Sequence, residues 1–150
     1  MANEPKDYRK AISVVIKKGS EYLITNTKGW DEKVWCFVQG GIENGEKEED
    51  AVLREIREEI GDVKVKIKKR WPKVHRYNFS EELANKKGFK GQEQSVWFVD
   101  FLGDPNNIDV SNGELEKVKW VKKEEIMDYF AFPEQKEFFK EVLGIKKVVL

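Results

Sequence analysis

The sequence is short of the residues that form disulfides and histidine metal sites. It contains one cysteine, Cys36, and one histidine, His75. An internal disulfide and a site built from several histidines are therefore both excluded. Cys36 lies in the apolar run of residues 34–38, which predicts a thiol packed in the core, with a reactive thiol as the alternative. A chain without a disulfide fits a reducing compartment, and we expect a cytoplasmic location.

Long apolar runs and an excess of either charge are also missing. No segment reaches the ~18 consecutive apolar residues of a membrane span, and residues 1–10, MANEPKDYRK, lack the apolar stretch of a signal peptide. The 28 basic and 28 acidic residues give a net charge of zero, so global charge gives no reason to expect binding to nucleic acid or a membrane. We expect residues 1–150 to form one domain, with residues 1–6 as a flexible tail.

The most informative stretch is residues 39–63, QGGIENGEKEEDAVLREIREEIGDV. A glycine-rich turn is followed by an acid-dense segment, which predicts a helix over residues 48–60 that Gly61 ends. Glu55, Glu58 and Glu59 stand at positions i, i+3 and i+4, so they share one face of this helix. The adjoining arc is apolar and can pack on a sheet. It consists of Val52, Ile56 and Ile60.

The three glutamates repel one another, by a few tenths of a kcal/mol for each pair at this spacing. A solvated face would tolerate this repulsion, and acidic faces are common in a chain that is 37% charged. The alternative is a hard divalent cation, since clustered carboxylates suit Mg²⁺, which also bridges substrate phosphates. Judged on these glutamates alone, the solvated face is favoured.

The spacing of the whole stretch changes that balance. Gly40, five residues, Glu46, seven residues and then REIREEIG at residues 54–61 resemble the signature of the Nudix hydrolases, G-x5-E-x7-R-E-U-x-E-E-x-G-U, where U is a bulky aliphatic residue. The last position alone departs, because Asp62 stands in place of U. The resemblance implies an α/β/α sandwich with a mixed sheet. It also implies hydrolysis of a nucleoside diphosphate linked to another group, with Mg²⁺, or else Mn²⁺, as the cofactor.

Shorter motifs narrow the resemblance to one branch of this family. Residues 35–42, WCFVQGGI, are similar to the W-x-F-P-Q-G-G-I run of the diadenosine polyphosphate hydrolases and bacterial RNA 5′-pyrophosphohydrolases, with Val38 in place of proline. The pairs at residues 8–9 (YR) and 76–77 (RY) match the branch. So does GQEQ at 91–94 followed by WF at 97–98, with Ser95 as one extra residue.

The branch implies a small-molecule nucleotide substrate, with no obligate protein partner and no membrane. We expect a dinucleoside polyphosphate such as diadenosine tetraphosphate, split by water into ATP and AMP, as in an asymmetrical bis(5′-nucleosyl)-tetraphosphatase. The first alternative is removal of pyrophosphate from an RNA 5′ end or from another nucleoside triphosphate. The non-enzymatic alternative is a nucleotide-binding Nudix module that regulates a partner, although such a module would be expected to lose one of the acids.

The resemblance also implies a role for each acid. Glu55, Glu58 and Glu59 match the metal-binding acids of the family, and the carbonyl of Gly40 can join the metal shell. Either Glu58 or Glu59 could accept a proton from the attacking water.

A base outside the helix stays open as an alternative. Glu114 matches a loop glutamate that relatives place near the metals, and Glu116 is the second candidate. The alternative is that Glu114 is an ordinary exposed acid without a role in the reaction. Arg54 is expected to orient a glutamate by a bidentate contact, with Glu46 as its partner.

The remaining expected site residues concern substrate binding. Tyr77 and Phe132 match positions at which the branch stacks a base, although Phe132 could equally be a packing residue. Lysines in the insertion at residues 78–91, a possible lid, could approach distal phosphates. The full expected set is Arg9, Gln39, Tyr77, Lys86, Lys87, Lys90, Gln92, Gln94 and Phe132.

The pattern of the whole chain predicts alternating strands and helices with helices on both faces of the sheet. Strands are expected over residues 11–16, 21–24, 34–38, 63–68, 74–79, 95–101 and 118–121. Helices are expected after Ser80, over residues 122–129, and from Pro133 to Leu143 before Gly144. Gly40 and Gly41 are expected to permit positive φ and a close approach of the backbone to a ligand.

Overall fold

The computed structural model describes residues 6–145. The expected tail lies outside this range apart from Lys6, which begins the first strand. Within the described range six strands form one mixed sheet in the order β4-β5-β1-β2-β6, and β3 adds to it by pairing with β1. The β1–β5 pair is parallel and the other pairs are antiparallel. The strands are β1 (Lys6–Lys18), β2 (Glu21–Thr27), β3 (Val38–Gly41), β4 (Val65–Asn78), β5 (Phe89–Phe101) and β6 (Leu115–Lys122).

Four α-helices accompany the sheet in the same range: α1 (Glu48–Ile60), α2 (Glu81–Lys87), α3 (Ile126–Tyr129) and α4 (Pro133–Leu143). The predicted bounds of α1 and α4 are confirmed, and each helix ends at a glycine with positive φ, Gly61 at +93° and Gly144 at +69°. The helix predicted over residues 122–129 is instead a 3₁₀ turn, Lys123–Glu125, followed by the single turn of α3. No described helix has the length and apolar character needed to cross a membrane.

The sheet is covered on both faces, which confirms the predicted α/β/α arrangement. On one face α1 buries Val52, Ile56 and Ile60 against β1 and β5. On the other face α3 and α4 bury Ile126 and Phe139 around Phe37. Cys36 is buried, as expected, and burial raises the pKa of its thiol to about 11. A thiol of this kind stays protonated near neutral pH, which favours the packing role.

The prediction of a strand over residues 34–38 followed by a glycine turn is wrong. Cys36 makes an isolated bridge to Thr25, and the strand itself, β3, begins at Val38 and includes both glycines. Gly40 and Gly41 pair with β1, and neither has positive φ. Hydrogen bonding to β1 keeps this backbone extended. Of the two roles expected for these glycines, only the close approach of the backbone to another group remains.

The two strands predicted over residues 63–68 and 74–79 are one long strand, β4. Pro72 lies inside it, although proline cannot donate a hydrogen bond to a neighbouring strand. β4 is an edge strand, and its pairing with β5 is irregular between Arg70 and Val74. The edge position and this irregularity accommodate the proline without ending the strand.

Candidate functional site

The glutamates of α1 lie beside the glycines of β3. Because the apolar arc of α1 packs on the sheet, Glu55 and Glu59 are drawn inward and are each 7% exposed. The side chain of Glu58 is 51% exposed. A Cβ atom at Gly40 would lie 2.1 Å from Cδ of Glu55, so only glycine leaves room for this carboxylate.

Arg54 fixes the position of these carboxylates. Its Nε and Nη2 donate to the two carboxylate oxygens of Glu46 at 2.8 and 2.9 Å, so the expected bidentate contact is present. Its Nη1 donates to Glu55 at 2.9 Å and to Glu58 at 3.2 Å. Its Nη2 also donates to the carbonyl of Gly41 at 2.8 Å. One guanidinium therefore joins α1, the loop before α1 and β3.

The environment of the inner carboxylates disfavours their charged form. Burial raises the pKa of Glu55 to about 7, against the opposing effect of Arg54. Burial also raises the pKa of Glu59, and the charges of Glu114 and Glu58 act in the same direction. Hard oxygen donors that are crowded and partly desolvated are stabilised by a hard divalent cation, so this donor set fits Mg²⁺ or Mn²⁺.

Within residues 6–145, no three His, Cys, Asp or Glu side chains converge in the manner of a metal site. Two of the three expected acids are turned towards the arginine, since Glu55 and Glu58 both accept from Nη1 of Arg54. The third, Glu59, accepts from a backbone N–H instead. The acids that could hold an ion are close in space, but their carboxylates are directed to protein donors.

The loop before β6 contacts the same helix. The N–H of Glu114 donates to Oε2 of Glu59 at 3.3 Å, so the structure brings the expected loop glutamate to the acids of α1. A Cβ at Gly113 would lie 2.6 Å from the carbonyl oxygen of Glu58, which makes glycine necessary at this approach. Glu116, the second candidate, lies exposed on β6.

Lys28 is part of this arrangement and was missed by the sequence analysis. Its N–H donates to the carbonyl of Glu114 at 2.8 Å, and its Nζ donates to the carbonyl of Gly113 at 3.2 Å. Its charge also favours the ionised form of Glu59. No motif marks a lysine in the polar loop after β2, because its partners are more than 80 residues away in the sequence.

A second set of expected residues lies on the opposite face of the sheet and is linked to β3. A Cβ at Gly41 would lie 2.2 Å from Nη2 of Arg9. Nη1 of Arg9 donates to Oε1 of Gln92 at 3.3 Å, and Nε2 of Gln92 donates to the hydroxyl of Tyr77 at 2.9 Å. These contacts form a continuous chain from β3 across β1 and β5 to β4.

The remaining expected substrate residues fall into two groups. Gln94 donates to Gln39 at 2.6 Å, which places both near the chain just described. The others are exposed and, within residues 6–145, form no hydrogen bond or ion pair with the acids of α1. They are Lys86 and Lys87 on α2, Lys90 on β5, and Phe132, 55% exposed before α4.

Comparison with known proteins gives one family. A family model described as "NUDIX domain" matches residues 7–142. The chain is similar to an RNA pyrophosphohydrolase of a Nitratiruptor species, with 29% identity over 96% of this chain and 97% of the relative. It is 31% identical to an RNA pyrophosphohydrolase of Campylobacter jejuni, over 85% of each chain.

A solved structure shares the fold. The Ap4A hydrolase of C. elegans in a binary complex superposes with a TM-score of 0.65 at 21% identity, covering 91% of this chain and 98% of the other. At this identity the similarity shows the arrangement of helices and strands alone.

Proposed function

Since this chain belongs to the NUDIX family, we propose that it removes pyrophosphate from the 5′ end of triphosphorylated RNA. The observation that carries the proposal is the set of glutamates on α1 beside the glycine backbone of β3, where Arg54 binds Glu55, Glu58 and the carbonyl of Gly41. The names of the curated relatives, RNA pyrophosphohydrolases, support the choice of substrate. We propose in addition that the enzyme is cytoplasmic.

Glu55, Glu58 and Glu59 would hold Mg²⁺ or Mn²⁺, with the carbonyl of Gly40 within the same region. A divalent ion bound there would neutralise phosphate charge and help to align the attacking and leaving oxygens. Arg54 keeps the carboxylates in position, which matters because residues that orient metal ligands affect activity roughly 10–100-fold when removed.

The proton of the attacking water needs a carboxylate that solvent can reach. Glu58 is half exposed and accepts one long contact from Arg54, so it meets this requirement. Glu114 is also exposed and is held next to Glu59 by its backbone. We propose Glu58 as the base, with Glu114 as the alternative. Glu114→Gln should then keep most of the turnover, and its loss would point to Glu114 as the base, whereas Glu58→Gln also removes a proposed metal ligand.

A local row of lysines supports an RNA substrate although the net charge is zero. Lys28 stands beside Glu59, and Lys117 and Lys119 follow on β6 with their Nζ atoms 5.4 Å from the Trp35 ring and 4.8 Å from the Tyr129 ring. Basic side chains that alternate with aromatic rings suit a single-stranded nucleic acid. Trp35 and Tyr129 belong to the core opposite α1, and β6 is an edge strand, so we propose that RNA would meet these lysines at the edge of the sheet.

Hydrolysis of a dinucleoside polyphosphate is the second candidate. The fixed ring of Tyr77 favours it, because Gln92 holds the hydroxyl and connects the ring to Arg9 beside β3. A ring fixed in this way can stack on the nucleobase of a small nucleotide. Arg9, Gln92 and Gln94 would then orient the polyphosphate, and Lys86, Lys87 and Lys90 remain proposed contacts to distal phosphates.

The test compares both substrates with Mg²⁺ in ¹⁸O-labelled water. We expect pyrophosphate release from a triphosphorylated RNA oligomer and slower formation of ATP and AMP from diadenosine tetraphosphate. Glu58→Gln should abolish turnover, whereas Glu49→Gln, on the first turn of α1, should not. Turnover of diadenosine tetraphosphate alone would reject the RNA proposal in favour of the second candidate.

The contribution of Lys117 and Lys119 to RNA hydrolysis can be tested in the same experiment. Replacing Lys117 and Lys119 together by Gln should lower kcat/KM for RNA and leave hydrolysis of diadenosine tetraphosphate unchanged. The salt dependence of RNA hydrolysis should also weaken, because fewer counterions are released on binding. An equal loss on both substrates would show that the lysines act on the site itself and would remove the support they give to RNA.

A further inference from the structure

A cavity of about 650 Å³ opens between the end of β4 and the side of α4. This volume lies in the range of sites that hold small ligands. Its lining combines aromatic rings with carboxylates, which distinguishes it from the acid face of α1. The residues that matter here are Tyr8, His75, Tyr77, Glu134, Phe138 and Glu141.

The aromatic side chains of the cavity form a contiguous cluster. The ring of His75 stacks on Phe138 with centroids 4.5 Å apart and an interplanar angle of 19°. The Tyr77 ring lies 5.2 Å from His75, tilted by 43°. Within residues 6–145 the Nδ1 atom of His75 is buried and has no hydrogen-bond partner. The ring faces that this cluster leaves uncovered suit a planar ligand that can stack, such as a nucleobase.

Tyr77 connects the cavity to β3 through a chain of side-chain hydrogen bonds. That residue lines the cavity and also accepts from Gln92, which in turn accepts from Arg9 beside Gly41. A nucleotide whose phosphates lie near β3 could therefore place its base in this cavity.

The carboxylates on α4 differ in their partners. Glu141 is paired with Lys73 on β4. Glu134, one turn before Phe138 on the same helix, has no ion pair to lysine or arginine within residues 6–145, and its charge acts on His75. Three carboxylates of α4 line the cavity, since Glu137 lies between these two, and Glu134 is one that no basic side chain of the described residues engages.

The chemistry of a carboxylate discriminates between the two purines. An ionised carboxylate only accepts hydrogen bonds. Guanine presents two adjacent donors on its Watson–Crick edge, N1–H and the N2 amino group, which match the two oxygens of one carboxylate. Adenine presents an acceptor, N1, next to its single amino donor, so the second oxygen would face a lone pair.

We propose that this cavity binds the guanine base of the substrate and that Glu134 selects guanine over adenine. The proposal rests on the proposed function, because the base belongs to the nucleotide whose phosphates are hydrolysed. The stacked rings of His75, Phe138 and Tyr77 supply the surface for stacking, and Glu134 supplies the bidentate acceptor.

Binding of GMP and AMP to the full chain, measured by calorimetry, tests the proposal without any turnover. We expect GMP to bind about 10–100-fold more tightly than AMP, the usual discrimination of one bidentate contact. Glu134→Gln, which replaces one acceptor oxygen by a donor, should abolish the preference while AMP binding stays within a factor of about three. Glu124→Gln, an exposed acid before α3 with the same change of charge, should keep the preference.

Turnover supplies the second measurement and separates the two proposals. Gp4G, and RNA that begins with G, should have higher kcat/KM than their adenosine counterparts in the wild type but not in Glu134→Gln. Failure to hydrolyse any of these substrates would reject the proposed function, while the GMP and AMP titrations would still decide the base preference. Equal affinity for the two nucleotides, no binding of GMP, or a preference that survives Glu134→Gln would overturn the inference.

Discussion

A missing side chain at Gly40 sets the position of a carboxylate. Glu55 occupies the space that a Cβ at this position would fill, at 2.1 Å from its Cδ, and Arg54 holds it there. The carboxylate cannot move aside freely, because it is also packed on the sheet side of α1. The geometry of the acids therefore depends on a residue that contributes no side-chain chemistry of its own.

Gly40→Ala is expected to reduce hydrolysis on the order of 10²-fold, because a catalytic group displaced by about 1 Å costs that much. The extended backbone at Gly40 accepts alanine, but the added Cβ overlaps the buried carboxylate of Glu55, so the free energy of unfolding in urea should fall by about 1–3 kcal/mol with the fold retained. Steady-state kinetics and urea denaturation check the two parts. Asn44→Ala, in the exposed turn after β3, is the matched control, and equal activity of both variants would contradict the prediction.

His75 links the cavity to the pH dependence of stability. Burial lowers the pKa of His75 below its ordinary value of 6.5, against the opposing effects of Gln94 and Glu134. Between pH 6.5 and the lower pKa of the folded state, the unfolded chain therefore binds a proton at His75 that the folded chain does not bind. The contribution of His75 to stability is complete above 6.5 and is lost as the pH falls through the lower pKa of the folded state.

His75→Phe should remove this loss, since phenylalanine keeps the stacking but does not titrate. The urea midpoint of the wild type should therefore fall further between about pH 7 and pH 5 than that of the variant. Effects of the carboxylates, including Glu55 with its raised pKa, are common to both proteins and cancel in the comparison. Parallel curves for the two proteins would show that His75 does not titrate differently on folding.

At the scale of elements, α1 and α4 could be predicted because their signals lie in neighbouring residues. Features that depend on pairing between distant parts of the chain could not be predicted. Gly61 and Gly144 directly follow the helices that they end, so the bounds of these helices can be predicted from adjacent residues. β3 could not be predicted in the same way, because its glycines are extended only through pairing with β1.

The candidate site shows the same division. The acids of α1 and their arginine follow from a helical spacing and from a family resemblance, both of which lie in one stretch. Lys28 and the chain from Arg9 to Tyr77 depend on strands that meet only in the folded sheet. The sequence named Arg9 and Tyr77 through the resemblance, but the contact that joins them through Gln92 required the structure.

The helix α2 depends on its first residue. It has seven residues, too short to be stable alone, and the hydroxyl of Ser80 accepts from the N–H of Leu83 at 3.2 Å. Ser80→Ala should cost about 1 kcal/mol of helix stability. Amide hydrogen exchange at residues 83–87 should become faster, while the global unfolding midpoint changes little.

Ser80→Asp should restore slow exchange in α2, because aspartate accepts the same hydrogen bond and favours the start of a helix. This rescue separates the cap from any other role of residue 80. If alanine and aspartate gave the same exchange rates, the cap would not be what holds α2 together.

For the whole molecule, the fold and the proposed metal chemistry are separable. The two cores lie on opposite faces of the sheet and are built from apolar side chains. Removal of divalent ions with EDTA should therefore abolish hydrolysis while circular dichroism shows the same helix and strand content. Activity should return when Mg²⁺ or Mn²⁺ is added in excess, and undiminished hydrolysis in EDTA would contradict a metal-dependent site.

The parallel pairing of β1 with β5 has a consequence for the order in which the protein is made. Arg9 and Gln92, which pair in this register, are 83 residues apart. At the usual rate of translation, β1 waits roughly 4–17 s for its parallel partner to be synthesised. During that time the apolar segment at residues 11–16 has one open edge, which exposes it to wrong pairing. The pairing of β1 with β5, in the middle of the finished sheet, is thus among the last to form during synthesis.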